Sequence, residues 1–385
     1  MFSREAKKIP ASPVTVLTII FILLMVASTY TGEAPDYSSR FLSRNLKTLV
    51  LSLAILALIN SRTRLHSLIW VITISLGYYG VKGGAFMVAT GGQYNIYGPA
   101  NTMIGDNNLL ATALVLTLPL VNYLRIETEN KWIRRILLGV MIFTAFAVLG
   151  SYSRGGFLAI AGLSFLFWWR SKSKVLSLVF ILALGSMAAA FMPDKYFDRL
   201  NTIETAVDED GSFIGRLEAW QTAIAIAGSR PLGVGFRAYQ KPHVFGKYAP
   251  PGIATKALAM HSIYFEVLGD HGYGGLILYL LIGFLTWRNT RWVYNATRGQ
   301  PELEWARNLA LMMELSIAGF AIGGAALSLA YYDVYWAVVA MAASLRLLVK
   351  RKLTTMDAHP ESSFVPAHGH ASETAPDGTT AQRYR

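Results

Sequence analysis

The sequence predicts an all-α, polytopic integral membrane protein of about ten transmembrane helices with one long outward loop. Three observations predict it. Only 15% of the residues are charged and 53% are hydrophobic, whereas soluble proteins average about 25% charged. Apolar runs approaching the roughly 20 residues needed to cross a bilayer recur along the chain. Basic residues cluster in every second interval between those runs, which is the positive-inside pattern. The formal charge of +12 is therefore read as membrane orientation, and nucleic acid is excluded as a partner. Cysteine is absent, so disulfides and thiolate chemistry are excluded as well.

In order, the expected spans are 13–30, 46–60, 65–90, 109–124, 136–149, 156–169, 175–192, 273–287, 309–330 and 334–349. Basic clusters at Arg4/Lys7/Lys8, Arg62/Arg64, Arg125/Lys131/Arg134/Arg135, Arg170/Lys172/Lys174, Arg288/Arg291/Arg298/Arg307 and Arg346/Lys350/Arg351/Lys352 mark the cytoplasmic side. Both termini then lie in the cytoplasm. The outward intervals are 31–44, 91–108, 150–155, 193–272 and 331–333. The basic start and apolar run of residues 1–28 resemble a signal peptide, but the segment is expected to stay as the first span. No internal repeat points to an inverted-repeat transporter. Residues 1–353 form the membrane domain. Residues 354–385, rich in Ser, Thr, Ala, Pro and Gly, are expected to be a disordered cytoplasmic tail. His359, His368 and His370 lie in that tail, where no rigid element would fix a metal's ligands.

The chemistry-bearing residues gather in the outward intervals. Arg154, in Ser151-Tyr152-Ser153-Arg154-Gly155-Gly156, is either an anion ligand or an interfacial arginine reaching for lipid headgroups. Its planar fork suits phosphate, and the glycines permit close approach. Gly215-Arg216-Leu217-Glu218-Ala219-Trp220 opens a helix. Trp220, Ala223, Ile224 and Ala227 mark its apolar face, and Arg216 lies in its first turn against the helix dipole. That placement invites an anion, although a simple surface arginine fits equally. Pro231–Phe236 is a turn by composition, with phosphate cradling by its glycines a weak alternative because their spacing matches no phosphate loop. Arg230 and Arg237 border it, and His243 and Lys247 follow in a flexible loop and are not expected to be essential. His261 is a candidate general base or a structural histidine, with Glu266, Asp270 and His271 as fallback groups. Asp106-Asn107-Asn108 either caps a helix or binds a sugar hydroxyl. Asp208, Glu209 and Asp210 read as a solvated acidic loop in preference to a cation site.

The stretches LINSRTRLHSLIWVITISLGYYGVKGG, GDNN, GSYSRGG, GRLEAW, RPLGVGF, YAP, HSIYFEVLGDHGYGG and FAIGGAALSLAYYD together resemble the O-antigen ligase and polymerase superfamily. The likeness is closest to the O-glycosylation ligases that accompany exosortase A systems, and it runs from Phe2 to the last span. Such proteins usually begin with further spans, after which this chain starts. The resemblance implies a multi-pass enzyme of the bacterial inner membrane that is active on its periplasmic face. The donor would be a glycan on undecaprenyl pyrophosphate, and the acceptor a hydroxyl of an exported protein or of another glycan. Arg154 and Arg216 fall on the family's phosphate-binding arginines and His261 on its essential histidine. Asn107, Arg237 and Glu266 are further site candidates. Beyond membrane lipids, donor and acceptor, no cofactor or metal is implied. A repeat-unit polymerase differs in acceptor only. A lipid-linked-glycan flippase would want charges in mid-span, and most ionisable residues lie outside the spans.

Overall fold

A computed structural model describes residues 9–171, 173–190, 211–252 and 259–358. Twelve α-helices occur among them: α1 (Pro13–Tyr30), α2 (Pro35–Leu58), α3 (Arg62–Ala89), α4 (Asn107–Glu127), α5 (Lys131–Gly150), α6 (Arg154–Arg170), α7 (Lys174–Ala190), α8 (Gly211–Ser229), α9 (Pro242–Tyr248), α10 (Ile263–Ala296), α11 (Glu304–Gly324) and α12 (Asp333–Ala358). No strand occurs among the described residues. Each expected span overlaps one helix. Six helices, α1 to α5 and α10, are long and apolar enough to cross a membrane. Large apolar side chains such as Leu23, Ile74, Leu176 and Phe180 stand exposed on helix surfaces. Such faces suit lipid, which satisfies apolar side chains as well as a core does.

The bundle is built around α4. Every residue from Leu110 to Leu124 is buried, and α3, α5, α6 and α11 pack against this helix. A helix that is apolar on all sides needs partners on all sides. Helix α3 approaches α5 closely because Gly80 and Gly84 stand over Thr144 and the Phe143 carbonyl, where a Cβ would collide. Helix α10 packs against α1, α8 and α11. One end of the bundle gathers most of the basic residues. There Glu314 accepts from Arg170 at 2.6 Å and lies 3.9 Å from Arg291, while Glu127 pairs with Arg62 at 3.5 Å. The connections at the other end hold the candidate residues.

Several boundaries differ from expectation. Helix α2 starts at Pro35 and not at residue 46, because a proline at its start and Asp36 in its first turn favour helix despite polar side chains. The expected loop 193–272 is largely helical where described, containing α8, a short 3-10 turn and α9. The loop reading of 238–248 is therefore corrected, since Pro242 initiates a helix there. Helix α10 starts at Ile263; the break expected before residue 273 is a kink within it at Gly272, φ 66°. Helix α11 ends at Gly324, and the following turn bonds lead into α12. The last helix runs to Ala358, past the expected tail boundary at residue 354. Residues 1–349 form one compact unit and 350–385 a second. The acidic cluster Asp208–Asp210 and His359, His368 and His370 lie outside the described residues.

Candidate active site

Four helix ends converge at the less basic end of the bundle. Ser153 caps α6 by accepting from the Gly156 N–H at 2.9 Å, which fixes Arg154 as the first helical residue. A Cβ at Gly156 would lie 2.6 Å from that of Ala111, and one at Gly155 would lie 3.5 Å from that of Ala326. The start of α6 is thus wedged against the start of α4 and the turn after α11. The two glycines serve this packing. The start of α10 reaches the same place, with Ile263 against Gly324 and the Tyr264 hydroxyl donating to the Ala321 carbonyl at 3.0 Å.

Asp106 caps α4 by accepting from the Asn108 N–H at 2.8 Å, so the capping alternative holds for this residue. Asn107 donates to the Ser151 carbonyl at 2.7 Å, tying α4 to the turn before Arg154. It is a positioning residue for that turn.

Helix α8 brings Arg216 to His261. The Trp220 indole N–H donates to the Met260 carbonyl at 2.7 Å, and its ring stacks on Phe265 at 4.8 Å. Residues four apart on a helix share a face, so Arg216 lies one turn from that anchor. Ala219, Ala223, Ile226 and Ala227 are buried beneath it. Ile224, expected on the buried face, is 48% exposed, because the buried stripe runs through Ala219, Ala223, Ile226 and Ala227. The helix also begins at Gly211, four residues earlier than expected. Arg216 is therefore in its second turn, where the dipole argument fades.

His261 is solvent-exposed in part yet has protein packed around it. Burial pulls its imidazole below the usual histidine range, and the positive Arg216 pulls it further, while Asp106 acts in the opposite direction. Three residues far apart in sequence thus meet electrostatically. The ring is neutral at pH 7, the state a proton acceptor needs.

Backbone strain concentrates at this end. The non-glycine residues with positive φ among those described are Asn101 (59°), Tyr152 (54°), Arg237 (53°) and His261 (46°), and all lie in its connections. Bulky residues adopt this conformation only when their surroundings impose it, and such strain clusters at functional sites.

The remaining candidates form a structural clasp. The Arg237 N–H donates to Asp270 Oδ1 at 2.7 Å, and its guanidinium lies 3.6 Å from Glu266 and over the Phe41 ring. Glu266 also accepts from the Ala330 N–H at 3.1 Å, and Asp270 accepts from Tyr331 at 3.2 Å. His271 Nδ1 lies 2.6 Å from the Ser28 hydroxyl, within a ring of Phe21, Phe236 and Tyr331. All three fallback groups are fully enclosed, 0–1% exposed. The Pro231–Phe236 turn completes the clasp. Its Val234 and Gly235 N–H groups donate to the Gly269 and Asp270 carbonyls that the Gly272 kink releases, at 3.1 and 3.0 Å. Those donors are spent on protein, which removes the phosphate-cradle alternative for this turn. Outside the clasp, Glu33 accepts from Arg230, Lys247 and Tyr248 at 2.8, 2.7 and 2.6 Å. The Lys247 hydrogen bond, then the Tyr248 one, with the charges of Lys247 and Arg230 behind them, hold its carboxyl at about 2. Sequence reading did not foresee this hub or the Trp220 anchor, since neither joins neighbours in the chain.

Among the described residues, no group of three or more His, Asp and Glu side chains has the arrangement of a metal site. No curated protein matches the chain. Residues 1–129 match a family of unknown function. Residues 111–280 match the family model described as O-Antigen ligase, and that span, containing Arg154, Arg216 and His261, identifies this part of the chain as similar to an O-antigen ligase.

Proposed function

We propose that the protein is a multi-pass membrane glycosyltransferase that moves a glycan from undecaprenyl pyrophosphate to an acceptor hydroxyl on the periplasmic face. The observation that carries this reading is the meeting of His261 with Arg216 and Asp106, at the bundle end where Arg154 also begins its helix. The similarity of residues 111–280 to O-antigen ligases supports transfer from a lipid-linked donor.

In this reading the acceptor oxygen attacks the anomeric carbon as its proton passes to an imidazole nitrogen of His261. The bond from that carbon to the phosphate oxygen breaks, and the pyrophosphate leaves with the electron pair. Direct displacement inverts the anomeric centre. Arg154 and Arg216 neutralise the charge growing on the leaving group, where fixed cations act most strongly. Energy already stored in the donor makes a nucleotide or metal unnecessary. The quoted sequence stretches favour a protein acceptor in the manner of the exosortase-associated ligases, and a repeat-unit polymerase would use the same machinery with a glycan acceptor.

The test is to incubate purified protein with lipid-linked glycan and candidate acceptors and to weigh the products. A conjugate of glycan and acceptor, with release of undecaprenyl pyrophosphate, is expected. A lengthened lipid-linked glycan would assign the polymerase reaction, and consumption of neither substrate would refute transfer.

A further inference from the structure

Arg44 and Lys47 lie on α2, within a segment apolar enough to span a membrane, and the chemistry above does not use them. They sit toward the active-site end, away from the basic clusters at the other end. A cation near a membrane span is costly unless it has a partner or a task. Both side chains are exposed, and among the described residues neither has a hydrogen-bond or ion-pair partner. They line a cavity of about 500 Å³ whose other walls include Thr102, Ile104 and Asp333. Asp333 accepts a hydrogen bond from Thr48 through Oδ1, which leaves Oδ2 for another donor. Ile104 precedes Asp106 by two residues, so the cavity adjoins the candidate active site along the chain.

We propose that this cavity binds an acidic sugar residue of the transferred or accepting glycan, its carboxylate held by Arg44 and Lys47 and a ring hydroxyl by Asp333. The assignment rests on the glycosyl-transfer reading for the glycan's presence. The charges select the ligand. An uncharged sugar would leave two cations unmatched. A phosphatidylcholine phosphate would meet the same cations but offers Asp333 no hydrogen-bond donor. A uronic acid offers an anion to the pair and donors to the carboxylate, so every charged group in the cavity gains a partner.

The test titrates tetragalacturonate and maltotetraose onto the full chain in phosphatidylcholine nanodiscs, reading binding without turnover. The acidic oligosaccharide should bind about tenfold more tightly, the scale of one charge-assisted hydrogen bond. The Arg44→Gln/Lys47→Gln pair should erase that preference, and Lys47→Gln alone, at an exposed position, should reduce it. Asp333→Asn should weaken both ligands and keep the preference. Equal binding of the two oligosaccharides by the unaltered protein would overturn the proposal. So would an undiminished preference in Lys47→Gln, or any preference in the double variant, with an unchanged unfolding midpoint. Loss of the preference when phosphatidylglycerol is added to the discs would assign the cations to lipid headgroups instead. Because turnover is not read, absent transfer with an intact acidic preference would sink only the transfer reading. Transfer that proceeds without any acidic preference would sink only the cavity.

Discussion

The environment of His261 makes opposing, measurable demands at the level of single residues. Burial and Arg216 hold the imidazole below its usual range while Asp106 raises it. A base is active when deprotonated, so transfer should stay level on acidification from neutral pH to about 6.5, the ordinary histidine value, and decline only below it. Removing the positive neighbour in Arg216→Gln should move that decline to higher pH. Asp106→Asn, which preserves a capping side chain, should move it to lower pH. A pH–rate profile checks both, and shifts in one common direction would contradict the assignment. Arg154→Lys keeps the charge but loses the fork, so donor affinity and rate should both fall. The motifs around Arg154, Arg216 and His261 were legible in the sequence. The role of Asp106 as a charged neighbour of His261 was not, because it depends on packing between segments far apart in the chain. Glu266, Asp270 and His271 looked equally fit for acid–base work until the fold enclosed them in the clasp.

Helix ends and their anchors decide where those residues stand. Trp220 fastens α8 to the backbone beside His261. Trp220→Ala should free that helix and leave the Met260 carbonyl unpaired, costing roughly 1–3 kcal/mol of docking. Donor affinity and rate should both fall, and proteolysis within α8 should quicken. An unchanged proteolysis pattern would show that the anchor is dispensable. Gly156→Leu should force α6 from α4, an overpacking cost of about 1–3 kcal/mol, visible as a lower unfolding midpoint. At Glu33 the folded carboxyl titrates at about 2, below its ordinary value of 4.5. Its contribution is fully present above 4.5 and fades as pH falls toward 2, so Glu33→Gln should narrow the stability difference between neutral and acidic pH. Helix existence could be read from apolar runs, but the ends of α2, α8 and α10 could not. Polar first turns and a glycine kink resemble loops in a hydropathy window, whereas backbone capping and tertiary contacts keep them helical.

At the scale of the whole molecule, alternating basic clusters predict that all the active-site connections share one side of the membrane. Cysteines placed at the exposed Gln93 and Ser229 should react with an impermeant thiol reagent in intact spheroplasts. One at Glu129, exposed at the opposite end, should react only after lysis. Labelling of all three from one side would refute the topology. The reaction should also survive a chelator, and inhibition reversed by a divalent cation would return attention to Asp208–Asp210. The all-helical bundle was legible because the lipid-facing surface must be apolar everywhere. The clasp that joins α1, α10 and the α11–α12 connection was hidden, because it pairs polar residues from 33 to 243 positions apart. The central claim is that this bundle end transfers glycan with His261 as base. The most direct measurement compares donor affinity and single-turnover rate of the purified protein with those of His261→Ala. The account predicts a rate lower by about 10²–10⁴-fold with donor binding retained. Near-normal turnover in a folded variant, or loss of donor binding as complete as in the arginine variants, would contradict it.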